Sequence, residues 1–314
     1  MNSRGAITKT MECMEKVLKN KPNSLAVEVT YRCNLNCVYC SKRESGENHR
    51  DISKELLERL DPVIKDMKRI VICGIGESFL YSGLYDLISN YPKQKFTIVT
   101  NGTILIDYEI LDAQKNIEQI IYSVDAVEQE IMDKICGKYR FDNLLRNLDL
   151  LDKYRRTHQR RITSVLNCTI NKYNLGQMEK LIEFAKTYNF NVIHFSLPRG
   201  GEDFIDKEKE NITAEIERAK EMAKNYNLFF VNPFDVCCVF YNCVPPYITL
   251  DGNVYACAET LYISDSLGNL FERSYDEILN DAKYKEFQTG QSCKECGFLQ
   301  NTFIGRQIHD EYDR

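Results

Sequence analysis

The sequence predicts an α/β protein, a partial (β/α)6 barrel followed by a small C-terminal module made of a β-hairpin and a helix. Three observations predict it. Between residues 24 and 230, short β-branched or aromatic runs alternate with longer stretches of helical period, the pattern of βα units and a parallel sheet. Six such units can be drawn, too few for a closed eight-stranded barrel, so an open sheet is expected with its site at the C-terminal strand ends. Beyond residue 230 the pattern changes to a strand, a turn at Asp251-Gly252-Asn253 and a second strand.

The expected strands are Leu25–Tyr31, Arg69–Cys73, Phe96–Thr100, Gln119–Val124, Ser164–Ile170 and Val192–Leu197. The clearest helices are Lys54–Met67, Phe141–Tyr154, Gln177–Tyr188 and Ala214–Tyr226; Leu56, Leu57, Leu60, Ile64 and Met67 illustrate the spacing of one buried face. Residues 1–23 read as a helical cap, because Ile7, Met11, Met14 and Leu18 share a face and Pro22 stops it. The expected domains are therefore the cap at 1–23, the barrel at 24–230 and the module at 231–314, which closes with a helix opened by the capping-box residues Ser274 and Glu277.

Composition narrows the function. The 314 residues carry a net charge of −5, with bases and acids interspersed, which argues against a nucleic-acid surface or an anionic membrane as partner. No apolar run reaches the length of a membrane span and the N-terminus lacks a signal-peptide core, so a cytoplasmic protein is expected. Thirteen cysteines in a reducing compartment point to metal ligation or catalysis before disulfides.

Cys33, Cys37 and Cys40 form a C-x3-C-x2-C loop directly after the first strand. A [4Fe–4S] cluster is ordinarily held by four cysteines, so three thiolates suggest a cluster with one iron left open for a small molecule to chelate. A structural zinc site is the alternative, but zinc takes four ligands. His49, in a polar loop, is the one local candidate for the fourth. At the second strand end stands Cys73-Gly-Ile-Gly-Glu-Ser78, whose glycines let backbone approach a ligand closely.

Together these motifs resemble the radical S-adenosylmethionine (radical SAM) superfamily. The resemblance implies a (β/α) barrel in which the cluster binds S-adenosylmethionine and cleaves it reductively to a 5′-deoxyadenosyl radical. It implies that Gly74, Gly76 and Glu77 correspond to the family's Gly-Gly-Glu motif, with Ile75 interposed, and that Glu77 accepts from the cofactor's ammonium group. Tyr39 would meet the adenine through its backbone. Asn101, Ser123 and Asp125 match the third and fourth strand ends that contact the methionine moiety and ribose, and Asn167 and Arg199 are further candidates. Each of these also reads as ordinary strand-end turn chemistry.

Cys243, Gly252, Cys257 and the pair Cys293-x2-Cys296 resemble the C-terminal auxiliary-cluster module called SPASM or, in its shortened form, twitch. No cysteine follows Cys296, so the resemblance implies one auxiliary [4Fe–4S] cluster and two clusters in all. Spacing alone also fits a four-cysteine zinc ribbon. Cys237 and Cys238 are surplus, since neighbouring side chains on an extended chain point opposite ways, and they read as packing or as a hydrogen-atom donor. Cys13, Cys73, Cys136 and Cys168 are scattered and read as small buried hydrophobes. Glu259, two residues after Cys257, is a candidate substrate contact or an exposed turn carboxylate.

The expected function is oxidation of a C–H bond of a small polar substrate such as a sugar or aminocyclitol, the auxiliary cluster taking the electron. The short segment before the barrel, too small for a peptide-recognition domain, favours that reading. The reductant expected is of flavodoxin or ferredoxin type. A peptide-modifying maturase is the alternative, with Cys136, Cys237 or Cys238 as hydrogen donor if it epimerises. A non-enzymatic zinc-binding protein is the alternative from another class.

Overall fold

A computed structural model of the chain describes residues 22–40, 49–198, 202–234, 245–258, 261 and 264–288. The expected cap at 1–23 lies, apart from its last two residues, outside the described residues. The chain divides into two compact units: the described residues of Met1–Glu28, Ile52–Val71 and Phe234–Arg314, and those of Val29–Asp51 and Ile72–Pro233.

In the first unit the strand order is β10-β9-β8-β1-β2, with β1 at Ser24–Val27, β2 at Arg69–Ile72, β8 at Tyr247–Ile248, β9 at Asn253–Tyr255 and β10 at Gly268–Asn269. β8 runs parallel to β1, pairing Ala26 with Tyr247, whereas β9 runs antiparallel to β8. The expected turn joins them: Gly252 has φ +76, and a Cβ there would also meet the Phe271 ring at 3.0 Å. Buried Glu28 ties the end of β1 to the hairpin by accepting from the Tyr247 hydroxyl at 2.6 Å and the Leu250 amide at 3.2 Å. Helix α1, Lys54–Asp66, starts on an N-cap at Ser53 and buries Leu56, Leu60, Val63 and Ile64. Further along the chain, α8 (Tyr275–Asn280) opens with the expected Ser274–Glu277 capping box, and α9 (Ala282–Gln288) follows it.

The second unit carries five parallel strands in the order β3-β4-β5-β6-β7: Lys95–Thr100, Ile117–Ser123, Thr163–Thr169, Val192–Ser196 and Phe229–Val231. Helix α2 (Leu84–Ser89) precedes β3, and between the strands run α3 (Tyr108–Leu111), α4 (Gln129–Cys136), α5 (Phe141–His158), α6 (Met178–Thr187) and α7 (Glu202–Asn225). One sheet face is apolar: Tyr122, Leu166 and Ile193 are fully buried, and Tyr122 touches Phe190 edge-on and shares a 2.6 Å hydrogen bond with Tyr108 of α3. The other face is polar toward the strand ends, as the period of two requires.

The α/β class with a parallel sheet and a small antiparallel C-terminal element is as expected. Two details differ. Helix α7 begins at Glu202, not at Ala214, because Ile205, Ile212, Ile216, Ala219 and Ala223 form one buried stripe whose first half is masked in sequence by Asp, Lys and Glu. A seventh parallel strand, β7, also extends the array after that helix.

Candidate functional site

The cysteine loop and the strand ends around it belong to the second unit. Cys33, Cys37 and Cys40 are part-exposed and form no disulfide among the described residues. Backbone bonds fix the loop from several sides. The Asn36 and Val38 amides donate to the carbonyls of Cys136 and Ile135 at 2.9 and 2.8 Å, and the Cys40 amide donates to the Cys37 carbonyl at 3.2 Å. Buried Leu35 anchors the loop inward. At its start the Thr30 hydroxyl donates to Asp51 at 2.6 Å, and Arg32 pairs with the same carboxylate at 3.0 Å.

The Gly74-Ile-Gly76-Glu77 turn meets that loop at van der Waals limits. A Cβ on Gly76 would stand 2.1 Å from the Thr30 carbonyl oxygen and 2.9 Å from that of Arg32, while the Glu77 amide donates to the Arg32 carbonyl at 2.7 Å. Gly74, at φ +138, needs the conformational freedom of glycine as well. Glu77 is buried, and its carboxylate accepts from the Thr100 hydroxyl at 2.7 Å, the Asn101 amide at 2.7 Å and the Phe79 amide at 3.1 Å. Burial pushes its carboxyl above the usual range against the pull of those bonds. This carboxylate therefore joins the ends of β2 and β3, with one lone-pair position left for a ligand.

Asn101 is likewise engaged. Its amide donates to Asn34 Oδ1 at 3.0 Å and its oxygen accepts from the Thr103 amide and hydroxyl at 2.9 and 2.7 Å; Asn34 in turn donates to Thr103 at 2.7 Å. The Tyr139 hydroxyl closes the group on the Asn101 carbonyl at 2.7 Å. Here the side chain fastens the cysteine loop to the end of β3.

Asp125 is buried, accepts from the Tyr39 hydroxyl through Oδ2 and from the Thr169 amide through Oδ1 at 2.8 Å, and is raised by burial to about 6. Ser123 and Asn167 stand opposite one another in register, and His194 stands opposite Asn167. Thr169 and Ser196 follow on the same face, their hydroxyls 3.3 Å apart. Sequence reasoning missed His194. A lone polar residue inside an apolar strand, with Ile193 and Phe195 buried on the opposite face, was the signal available. Its imidazole has no hydrogen-bond partner among the described residues, and burial lowers its pKa.

Arg199, Cys237, Cys238, Cys243, Glu259, Cys293 and Cys296 lie outside the described residues. Cys257 is buried just after β9. Cys136, at the end of α4, is 4% exposed, and its carbonyl accepts from the Asn36 amide of the cysteine loop at 2.9 Å.

The three loop thiols fit an iron–sulfur cluster. They are soft donors on one clamped, part-exposed loop, and each would take a different iron. Among the described residues no three Cys, His, Asp or Glu converge on a single ion, as a mononuclear zinc site requires. Gly76 lets the glycine turn pack directly on the backbone that starts this loop.

Residues 27–185 match the radical SAM superfamily and residues 237–297 match the SPASM iron–sulfur cluster-binding domain. The chain belongs to the radical SAM superfamily, in its SPASM/twitch branch. Its cofactors are accordingly S-adenosylmethionine and two [4Fe–4S] clusters. A probable GTP 3′,8-cyclase of Archaeoglobus fulgidus is 24% identical over 82% of this chain and 93% of its own length. A tungsten-containing aldehyde ferredoxin oxidoreductase cofactor-modifying protein of Pyrococcus furiosus is 24% identical over 84% of this chain and 82% of its own. Among solved structures, Streptococcus suis SuiB bound to its precursor peptide SuiA matches with a TM-score of 0.66 at 18% identity, over 94% of this chain and 74% of that one, a likeness of fold. Among the described residues no helix is long and apolar enough to cross a membrane.

Proposed function

We propose that this radical SAM protein oxidises a C–H bond of a small polar substrate, a sugar or aminocyclitol, with loss of a hydrogen atom, an electron and a proton. When bound, the cofactors supply a 5′-deoxyadenosyl radical as hydrogen abstractor and, in the closed auxiliary cluster, a one-electron acceptor. The proton falls to the chain's own residues. The observation that carries the reading is the polar face formed by Ser123, Asn167 and His194 in register. His194 is unpartnered there, and burial favours its neutral form, so a ring nitrogen is free to take a proton from a carbinol as it becomes a carbonyl. Ser123 and Asn167, also without side-chain partners among the described residues, suit hydroxyl groups of substrate or ribose.

In the same reading Tyr39, Gly74, Gly76, Glu77, Asn101, Asp125 and Arg199 surround S-adenosylmethionine, and a flavodoxin- or ferredoxin-type protein in the cytoplasm delivers the electron that starts each turnover. A second reading, peptide modification, is favoured by the precursor peptide bound to the SuiB structure. The two curated relatives are named for a nucleotide cyclase and a cofactor-modifying protein, which supports non-peptide substrates.

The test is release of 5′-deoxyadenosine by anaerobically reconstituted protein offered polyols, aminocyclitols or peptides, with mass analysis of the products. Stimulation by a polyol or aminocyclitol, giving a product lighter by two hydrogens, is expected. With the corresponding C-deuterated substrate, His194→Gln should still move deuterium into deoxyadenosine while forming less carbonyl product. Stimulation by peptides alone would replace this reading with the second.

A further inference from the structure

We propose that Asp125 is a positioning residue that latches the cysteine loop to the end of β4 through the Tyr39 hydroxyl. Tyr39 stands one residue before Cys40, and its hydroxyl donates to Asp125 Oδ2. The seat behind that bond is built from β5 and the loop that follows it. Asp125 Oδ1 accepts from the Thr169 amide at 2.8 Å, and the Asp125 carbonyl accepts from the Asn174 side-chain amide at 2.9 Å. Asn174, 2% exposed, also donates to the Thr169 carbonyl at 2.9 Å and accepts from the Asn171 amide at 2.7 Å. Backbone and carboxylate of Asp125 are thus both fixed by the neighbouring strand end, so the carboxylate is a rigid anchor for the loop.

The latch extends a hold that the rest of the loop already has. The Asn34 side chain is bonded to Asn101 and Thr103, and the Asn36 and Val38 amides are bonded to the end of α4. Tyr39 carries that hold on to the residue next to Cys40. Asp125 is 2% exposed and a hydrogen bond from a hydroxyl to a carboxylate is among the stronger ones. A segment ordered before its ligand arrives does not spend binding free energy on ordering. Both ends of the bond are protein atoms, so what it sets is the order of the loop that must receive the cofactor.

This inference rests on the cluster assignment to Cys33, Cys37 and Cys40, and the test separates the two. Wild type, Tyr39→Phe, Asp125→Ala and the double variant are reconstituted anaerobically, and iron per chain and S-adenosylmethionine affinity by equilibrium dialysis are measured. Wild type that loads no iron, or binds no cofactor once loaded, would overturn the cluster assignment itself. Tyr39→Phe and Asp125→Ala should each weaken cofactor binding about threefold to tenfold, the worth of one hydrogen bond. The double variant should bind no worse than Asp125→Ala alone, because both changes remove the same bond. Asp125→Asn should bind as wild type, since its amide can donate to the Tyr39 oxygen while its carbonyl accepts from Thr169. Amide hydrogen exchange over residues 36–40 of the loaded protein, without S-adenosylmethionine, should quicken by a similar factor in Tyr39→Phe. Wild-type affinity and exchange in Tyr39→Phe, or losses that multiply in the double variant, would overturn the latch. Weaker binding with unchanged exchange would overturn it too, making the hydroxyl a direct cofactor contact. If Asp125→Ala loads no cluster, affinity and exchange in Tyr39→Phe decide.

Discussion

Replacing Gly76 by alanine puts a methyl group where the structure has no room. The added carbon would stand 2.1 Å from the Thr30 oxygen, 2.8 Å from the Thr30 carbonyl carbon and 2.9 Å from the Arg32 oxygen. All three are backbone atoms, so no rotamer change relieves the clash; the glycine turn and the start of the cysteine loop must part. Overpacking of a close contact costs about 1–3 kcal/mol. Separation also strands the Glu77 amide, now 2.7 Å from the Arg32 carbonyl, and an unmade buried hydrogen bond costs about 1–3 kcal/mol more. The expected sum is about 2–6 kcal/mol, divided between stability and the affinity of the turn for S-adenosylmethionine. Anaerobic urea unfolding and equilibrium dialysis with S-adenosylmethionine read the two shares. A control is Gly176→Ala, where φ is +85 but nothing lies within 4 Å; it should lose about 1–2 kcal/mol from backbone strain and bind the cofactor as wild type. A Gly76→Ala protein with wild-type unfolding and wild-type affinity would refute the close-approach argument.

Asp125 makes stability depend on pH. Burial raises its carboxyl from 3.8 to about 6, so between those values the folded state holds a proton the unfolded state has released, and stability falls as pH rises. At 1.36 kcal/mol per pKa unit the loss between pH 4 and 7 is about 2.4 kcal/mol; Asp125→Asn should abolish that part of the urea-unfolding pH profile, and an unchanged profile would contradict it. Asp112, fully buried, accepts from Arg160 at 2.9 Å, Tyr154 at 2.9 Å and the Ile117 amide at 3.0 Å. Asp112→Ala should cost about 3 kcal/mol, the low end for breaking a buried pair, because Arg160 keeps some solvent. Loss of less than a third of that would show the group to be dispensable.

What could be read in the sequence is what is local along the chain. The cysteine loop, the Gly-Ile-Gly-Glu turn, the Asp251–Asn253 turn and the Ser274 capping box each declare themselves within a few residues, and alternating periods gave the parallel strands. Contacts between distant segments did not declare themselves. Nothing in the run around Asn34 says that its amide meets Thr103 and Asn101, so the clamp that the Asn101 side chain makes on the loop was not legible. The three protein donors to Glu77 were hidden in the same way. His194 became visible only through strand register, and Cys136, correctly read as buried, showed its backbone contact with the cysteine loop only in three dimensions.

The central claim is that the Cys33, Cys37 and Cys40 loop holds the cluster that opens S-adenosylmethionine. Anaerobic reconstitution with iron and sulfide, followed by iron analysis and assay of 5′-deoxyadenosine with reductant, tests it in wild type and in the Cys33/Cys37/Cys40→Ala variant. About eight irons per chain in wild type, falling to about four with loss of deoxyadenosine in the variant, is the predicted result. Tightly held zinc with no cleavage in wild type, or cleavage that survives in the variant, would contradict it.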